Sequence, residues 1–267
     1  MTRLTAAEYL LNELGIDDPA DIDLEVIAFY RNATVKIRRL DGCEARILGY
    51  KDKAVITVDD RYGLRRARFS LAHELGHWQH HRGRSFVCRP EDIGQRRERN
   101  ALDPEWVADQ YAADLLMPHY LFRPRARELK RINFETVETL ANEFNVSRTS
   151  AAIRLVETGL EPAILLLHKG PRRAWFNSGP DVPRKWFPKD ELDPDSGALT
   201  TLYGPLTKNT MRPVPAETWF DGWHAQRGSV HEQSIRTADG QVLTLVVFRD
   251  PRLLDEAERV GSRSRSW

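Results

Sequence analysis

The stretch Arg68-Phe-Ser-Leu-Ala-His-Glu-Leu-Gly-His77 decides how this sequence folds and what it can bind. It lies within residues 65–81, which contain no proline and a single glycine before His81, so we predict one long buried helix. On that helix His73 and His77 are one turn apart, rotated by about 40° and separated by about 6 Å. Both imidazoles can therefore reach one metal ion.

Glu74 lies beside the helix face that carries the two histidines, offset from His73 by about 100°. It can touch a water molecule at the ion without being needed as a ligand. We therefore predict that Glu74 is the catalytic base of a metal-dependent hydrolase. The alternative is a pair of histidines that only form hydrogen bonds on an amphipathic helix.

A third ligand is expected from another element, because a catalytic zinc usually has three protein ligands and one open position. Asp103-Pro104-Glu105 combines a helix N-cap, a proline at the first helical position and an acid in the first turn, which predicts a helix to Met117. Glu105 and Asp109 are one turn apart on that helix. We predict Glu105 as the third ligand and Asp109 as the hydrogen-bond partner of a ligating imidazole. Alternatively, both acids are a solvated helix start.

Other polar residues near the motif are weaker candidates. His80 lies one turn beyond His77, and a three-histidine site of the metzincin type would place its last ligand at Gly83. We therefore do not predict His80 as a ligand. His119 and Tyr120 follow the predicted helix end and could polarise a substrate carbonyl, although loop residues of this kind more often form ordinary surface.

Composition limits the class of protein. At 267 residues and 41% hydrophobic content, the chain can bury a substantial core in one large or two modest domains. Its 40 Lys and Arg residues nearly balance 39 Asp and Glu residues, so no global field favours nucleic acid or an anionic membrane. Ten arginines nevertheless crowd residues 61–99. They form either a solvated rim or a docking surface for an acidic partner.

Two further features indicate a cytoplasmic protein without a membrane partner. Residues 1–16 lack the apolar run and cleavage site of a signal peptide, and no apolar stretch reaches membrane-spanning length. The two cysteines, Cys43 and Cys88, are not in a metal-binding spacing and fit a reducing compartment. We interpret both as ordinary buried or edge thiols.

The remaining patterns predict the fold class. Thr5 and Glu8 form a capping box at the start of a first helix. Further helices are predicted at 23–31, 134–144 and 147–158, and strands at 34–38, 46–50, 54–58, 163–167, 199–203 and 242–248. We expect the first three strands to form an antiparallel meander, and Ser147 to cap the second helix of a helix-turn-helix-like pair.

The predicted fold is therefore α+β. It consists of a zincin-like domain with a short antiparallel sheet and active-site helices (1–132), a helix-turn-helix-like pair (133–160), a β-rich C-terminal domain (161–253) and a flexible tail (254–267).

Two separated motifs resemble the ImmA/IrrE family of bacterial metallopeptidases. The first is the stretch ending at His77, and the second is Glu105-Trp-Val-Ala-Asp-Gln-Tyr-Ala-Ala-Asp-Leu-Leu-Met-Pro118, in which Asp109 stands where the family frequently has Asn. The resemblance covers roughly residues 20 to 160. It implies a cytosolic enzyme that uses Zn²⁺, or another divalent ion such as Mn²⁺, and cleaves a helix-turn-helix transcriptional repressor to induce a stress, prophage or mobile-element response.

Two alternatives from other classes stay open at this point. One is a DNA-binding regulator with a vestigial metal site, in which Arg148 and Arg154 face DNA. Residues 147–156 offer few side chains that read bases, however, so direct DNA binding is not expected. The other is an adaptor that binds a repressor without cutting it.

Overall fold

The computed structural model describes residues 4–94, 100–238 and 240–254. Helices and two separate sheets confirm the α+β class. The chain divides into two compact units, Met1–Arg125 with Leu140–Ser150, and Ala126–Thr139 with Ala151–Trp267. The domain boundaries predicted from the sequence stay predictions, and the predicted tail after Leu254 lies outside the described residues.

The first unit contains a four-stranded sheet and the helices that carry both motifs. In chain order its elements are α1 (Ala6–Glu13), α2 (Leu24–Tyr30), β1 (Ala33–Ile37), β2 (Ala45–Tyr50), β3 (Lys53–Val58), α3 (Leu64–His80), β4 (Phe86–Cys88) and α4 (Pro104–Leu116). The predicted capping box at Thr5 is confirmed. Three helices contribute residues to both units: α5 (His119–Leu129), α6 (Phe134–Glu143) and α7 (Arg148–Glu157).

The predicted antiparallel meander is wrong. The strand order is β1-β3-β2-β4, and β1 runs parallel to β3, whereas β2 pairs antiparallel with β3 and β4. The hairpin between β2 and β3 closes tightly around Lys51, whose φ is 54°. Strands β1 and β2 lie on opposite sides of β3, so residues 38–44 lead the chain from β1 past β3 to β2. Strand periodicity gives the buried face but not the neighbour.

Helices α3 and α4 pack closely enough to bring the two motifs together. A Cβ atom on Gly76 would lie 2.8 Å from the Cα atom and 2.9 Å from the carbonyl oxygen of Ala108. Ala72, Ala108 and Ala112 are fully buried and keep the helix surfaces small. The Asp103 side chain caps α4 by accepting a 3.0 Å hydrogen bond from the Glu105 backbone N–H, as predicted. The small residues therefore set the distance between the histidines and Glu105.

Replacing Gly76 by Ala should destabilise the protein by about 1–3 kcal/mol, because the added methyl group meets backbone rather than a flexible side chain. Helix propensity alone favours Ala by about 1 kcal/mol, so a net loss identifies the helix contact as the larger effect. Thermal unfolding and metal content measure it. Leu64→Ala is the control in the same helix, since Leu64 is 80% exposed. Parent-like stability of Gly76→Ala would contradict the close-contact argument.

The second unit contains an antiparallel five-stranded sheet of order β6-β5-β9-β8-β7. Its elements are β5 (Ala163–Lys169), β6 (Arg172–Ser178), α8 (Gly197–Tyr203), β7 (Arg212–Pro215), β8 (Ser229–Ala238) and β9 (Gln241–Val247). The β-rich character is confirmed, but the strand predicted at 199–203 is wrong and is helix α8. Ser196 caps this helix through the Leu199 N–H, and the buried Glu232 carboxylate accepts a 2.6 Å hydrogen bond from the Gly197 N–H.

A buried histidine makes this unit sensitive to acid. His168 on β5 is 0% exposed, and neither ring nitrogen has a hydrogen-bond partner among the described residues. Burial, assisted by the charge of Arg173, lowers its pKa to about 4. Below pH 6.5 the unfolded chain binds a proton that the folded chain does not, so stability falls as pH drops toward 4.

We expect this one group to lower the free energy of unfolding by roughly 3 kcal/mol between neutral pH and about pH 4. Replacing His168 by Leu should remove that part of the pH dependence. Chemical denaturation of parent and variant across this pH range measures the difference. Equal slopes for the two proteins would mean that another group is responsible.

Candidate metal centre

The structure brings the three predicted ligands together at one point between α3, α4 and β4. The Nε2 atom of His73 lies 3.1 Å from Oε2 of Glu105, and the Nε2 atom of His77 lies 3.5 Å from Oε1 of the same carboxylate. Both imidazoles are fully buried, whereas the Glu105 side chain is 21% exposed. The two helices therefore present two nitrogen atoms and one carboxylate to a shared position.

A fourth donor, which sequence reasoning missed, completes this set. The Sγ atom of Cys88, at the end of β4, lies 3.6 Å from the Nε2 atom of His77. One ligand atom from each of His73, His77, Cys88 and Glu105 lies within 4.8 Å of the others, and we call these four residues the donor group. The sequence carries no local signal for Cys88, because only the pairing of β4 with β2 brings it beside α3.

Asp109 forms a hydrogen bond with the Nδ1 atom of the His73 ring. The Nδ1 atom of His73 lies 2.8 Å from Oδ1 of Asp109, and the Gly94 backbone N–H donates to both Asp109 oxygens at 2.9 and 3.0 Å. This contact matches the position predicted for Asp109. A proton on Nδ1 leaves the Nε2 lone pair directed toward the donor group.

Glu74 is buried beside the donor group, next to the Cys88 thiol. Its exposure is 0%, and neither carboxylate oxygen forms a hydrogen bond of good geometry with a described residue, although the Cys88 thiol lies close enough to interact with it. Burial raises its pKa to about 8. Buried carboxylate oxygens are normally satisfied, so this pair of oxygens indicates a missing polar group at the site.

The carboxylates of Glu105 and Asp109 favour positive charge at the donor group. Burial raises the pKa of Glu105, but its hydrogen bonds with His73 and His77 outweigh burial and lower it to about 2. Burial likewise opposes charge on His73, yet hydrogen bonds to Asp109 and Glu105 raise its pKa to about 9. The pKa of His77 is lowered, chiefly by burial. Imidazole, carboxylate and thiol donors, together with the buried Glu74, fit a divalent ion of the zinc type.

Residues 30–156 match the family model for peptidase M78, which is described as an IrrE N-terminal-like domain. This segment resembles an IrrE N-terminal-like domain. The resemblance inferred from the two motifs is thereby confirmed, and the match supports peptidase activity and metal binding in general terms. The donor group and Glu74 lie entirely within the matched residues.

Solved structures show the fold of a larger part of the chain. A Mycobacterium tuberculosis transcriptional regulator superposes with a TM-score of 0.61 at 15% sequence identity, over 91% of this chain and 75% of that chain. At this identity the likeness concerns fold alone. No curated protein matches the chain significantly. Among the described residues, no helix is long and apolar enough to cross a membrane.

Aromatic and histidine contacts fix the position of His77 within the matched segment. Phe86 stacks on the His77 ring with centroids 4.0 Å apart and an interplanar angle of 7°. The Nδ1 atom of His77 lies 3.5 Å from Nδ1 of His81. His80 instead contacts Tyr111 edge-on at 5.7 Å and is outside the donor group.

The two residues after Pro118 are not loop residues, as the sequence suggested, but begin α5. The Tyr120 hydroxyl donates a 2.6 Å hydrogen bond to the Ile16 carbonyl, and the His119 backbone N–H donates to Glu8. The Tyr120 hydroxyl therefore serves a backbone contact within the first unit.

Two arginines of the basic stretch form ion pairs within the first unit, and one of them, Arg66, anchors α3. Arg66 pairs with the buried Glu44 at 2.6 Å and donates to the Ile93 carbonyl at 2.9 Å, while Ser70 also contacts Glu44. Arg61 pairs with Asp59. Three further arginines of the stretch, at 96, 97 and 99, lie outside the described residues. At least part of the basic stretch is therefore structural and not a free docking surface.

Proposed function

We propose that this protein is a zinc-dependent endopeptidase that cleaves a specific protein. The observation that carries the proposal is the fully buried Glu74 carboxylate beside a group of two imidazoles and a carboxylate, within a segment that matches a peptidase family. A peptidase family implies a protein substrate.

In this proposal His73, His77 and Glu105 hold the ion, with Zn²⁺ preferred and Mn²⁺ as the alternative. When bound, a divalent ion polarises a carbonyl group and lowers the pKa of a water molecule. Glu74 accepts the proton of the attacking water and passes it to the leaving amine nitrogen. Asp109 acts through His73, whose tautomer and orientation it fixes.

Asp109→Ala should lower metal affinity or activity by about 10- to 100-fold without abolishing either, as expected for a residue that only orients a ligand. The same change removes the acceptor of the Gly94 N–H, so unfolding must be measured beside the metal dissociation constant. Asp109→Asn retains an acceptor oxygen and should lose less. Complete loss of metal from a folded Asp109→Ala protein would indicate that Asp109, and not Glu105, is the third metal ligand.

For the substrate we propose a helix-turn-helix transcriptional repressor, cut at one or a few sites in the cytoplasm to induce a stress or mobile-element response. General proteolysis in the cytoplasm would damage the host, so selectivity must come from surfaces outside the metal centre. The fold shared with a protein named as a transcriptional regulator fits a regulatory role. We further propose residues 1–132 as the catalytic domain, 133–160 as a partner-contacting pair and 161–253 as a domain that controls access.

The alternative of a DNA-binding regulator is weakened by α7. Arg154, which would have to face DNA, is only 4% exposed.

A non-cleaving adaptor differs from the proposed enzyme in one respect, the chemistry of the metal centre. A cleavage assay therefore separates them.

The test is intact-mass analysis of a cognate repressor incubated with the zinc-loaded protein, with casein as a control substrate. We expect discrete repressor fragments and largely intact casein. Free degradation of casein without cleavage of the repressor would contradict the proposal of a selective enzyme and favour a general peptidase. Metal binding without any cleavage would favour the adaptor.

A further inference from the structure

We propose that Cys88 is a fourth protein ligand that closes the metal centre in the resting protein, so that the peptidase is latent until this thiol withdraws. The inference rests on the proposed metal site and concerns how that site is regulated. It begins from the position of Cys88 inside the donor group.

Three of the six distances within the donor group are close to those of a four-coordinate site, and none of the six exceeds 4.8 Å. Zinc bonds to nitrogen and oxygen of about 2.0–2.2 Å and to sulfur of about 2.3 Å place neighbouring tetrahedral donor atoms about 3.3–3.6 Å apart. The observed separations are 3.1 Å for His73 and Glu105, 3.5 Å for His77 and Glu105, and 3.6 Å for His77 and Cys88. The thiol sulfur is therefore near enough to the other three donors to act as a fourth ligand.

Four protein ligands are the mark of a closed site, whereas a catalytic site keeps one position for water. When Cys88 binds, its S–H bond breaks, the proton passes to solvent, and the sulfur lone pair forms the bond to the ion. Water is then excluded from the position beside Glu74. No proton can be taken from an attacking water molecule until Cys88 leaves, so the enzyme is inactive in this arrangement.

The place of Cys88 in the fold makes withdrawal feasible. It is the last residue of β4, a three-residue strand at the end of the sheet order, which pairs with β2 and with no other strand among the described residues. Its carbonyl accepts one 2.9 Å hydrogen bond from the Glu44 N–H. Short edge strands open at lower free energy than central strands. Moving the end of β4 would free the fourth position while the two ligand-bearing helices stay packed.

Cobalt(II) substitution in the full-length protein tests the ligation directly. A thiolate bound to cobalt gives a charge-transfer absorption band in the near ultraviolet. We expect this band in the parent and in Cys43→Ser, the matched control, because Cys43 is the other buried free thiol and lies outside the donor group. The band should be absent in Cys88→Ser, while the cobalt stoichiometry remains one per chain.

Cobalt bound at one per chain without the band in the parent would overturn the inference and leave the proposed peptidase intact. Failure to bind any metal would overturn both. Alkylation supplies a second readout: Cys88 should react with iodoacetamide more slowly when metal is bound than after chelation, and equal rates would contradict ligation.

Cleavage rates test the latency. If the closed state outnumbers the open state by about ten to one, Cys88→Ser should cleave the repressor about tenfold faster than the parent, and Cys43→Ser at the parental rate. Equal rates for Cys88→Ser and parent would reject latency even if the absorption band is present.

Discussion

Glu74→Gln is expected to bind metal like the parent and to lose about 10²- to 10⁴-fold or more of its cleavage rate. The amide has nearly the shape of the carboxylate but cannot accept a proton from water. Neither Glu74 oxygen forms a hydrogen bond of good geometry with the described residues, and the amide keeps an oxygen that can accept from the Cys88 thiol, so the substitution should preserve the fold. Metal content, thermal unfolding and single-turnover cleavage together separate the loss of a base from loss of the fold.

Glu91→Gln provides the matched control, because the Glu91 side chain is 68% exposed and lies outside the donor group. It should cleave at the parental rate. A Glu74→Gln protein that cleaves as fast as the parent would remove Glu74 from the mechanism. One that loses its metal would instead show that Glu74 takes part in binding the ion.

Local chemistry made the two site helices predictable. Asp103 and Pro104 mark the start of α4 because capping and a missing N–H act within one turn of chain. The helical pitch then places His73 beside His77 and Glu105 beside Asp109 without any knowledge of the tertiary fold. The sequence therefore singled out His73, His77, Glu105 and Asp109, whereas it did not single out Cys88, and the roles assigned to the four residues stay predictions until tested.

Long-range pairing was not predictable in the same way. The strand patterns predicted the bounds of β1 and β3 within about a residue. They did not predict that β1 pairs in parallel with one edge of β3 while β2 pairs with the other edge, because this pairing joins residues that are distant in sequence. Residues 199–203 have the composition of a strand, yet the Ser196 cap and the Gly197 contact with Glu232 make them helical. Tertiary contacts override such weak propensities.

Cys88 illustrates the same limit at the site itself. No local spacing links it to His77, because the two residues are joined by sheet pairing and not by helix periodicity. A metal site built across a helix and a strand is visible only when both are placed in space.

The double variant His77→Ala, Glu105→Ala should lose more than about 100-fold in metal affinity, since removing only an outer partner of a ligand already costs 10- to 100-fold. It deletes one nitrogen donor from α3 and the carboxylate from α4, and leaves His73 and Cys88 as the remaining members of the donor group. Two ligands cannot hold an ion at one per chain under dilute conditions.

Asp114→Ala is the control for this experiment, because Asp114 lies on α4 and is outside the donor group. Its metal content should equal that of the parent. The double variant should remain folded, since its side chains are replaced by Ala, a good helix former, and since the contact of Gly76 with Ala108 is retained. Full metal content in a folded double variant would mean that the ion is held elsewhere, and the proposed peptidase centre would fall with it.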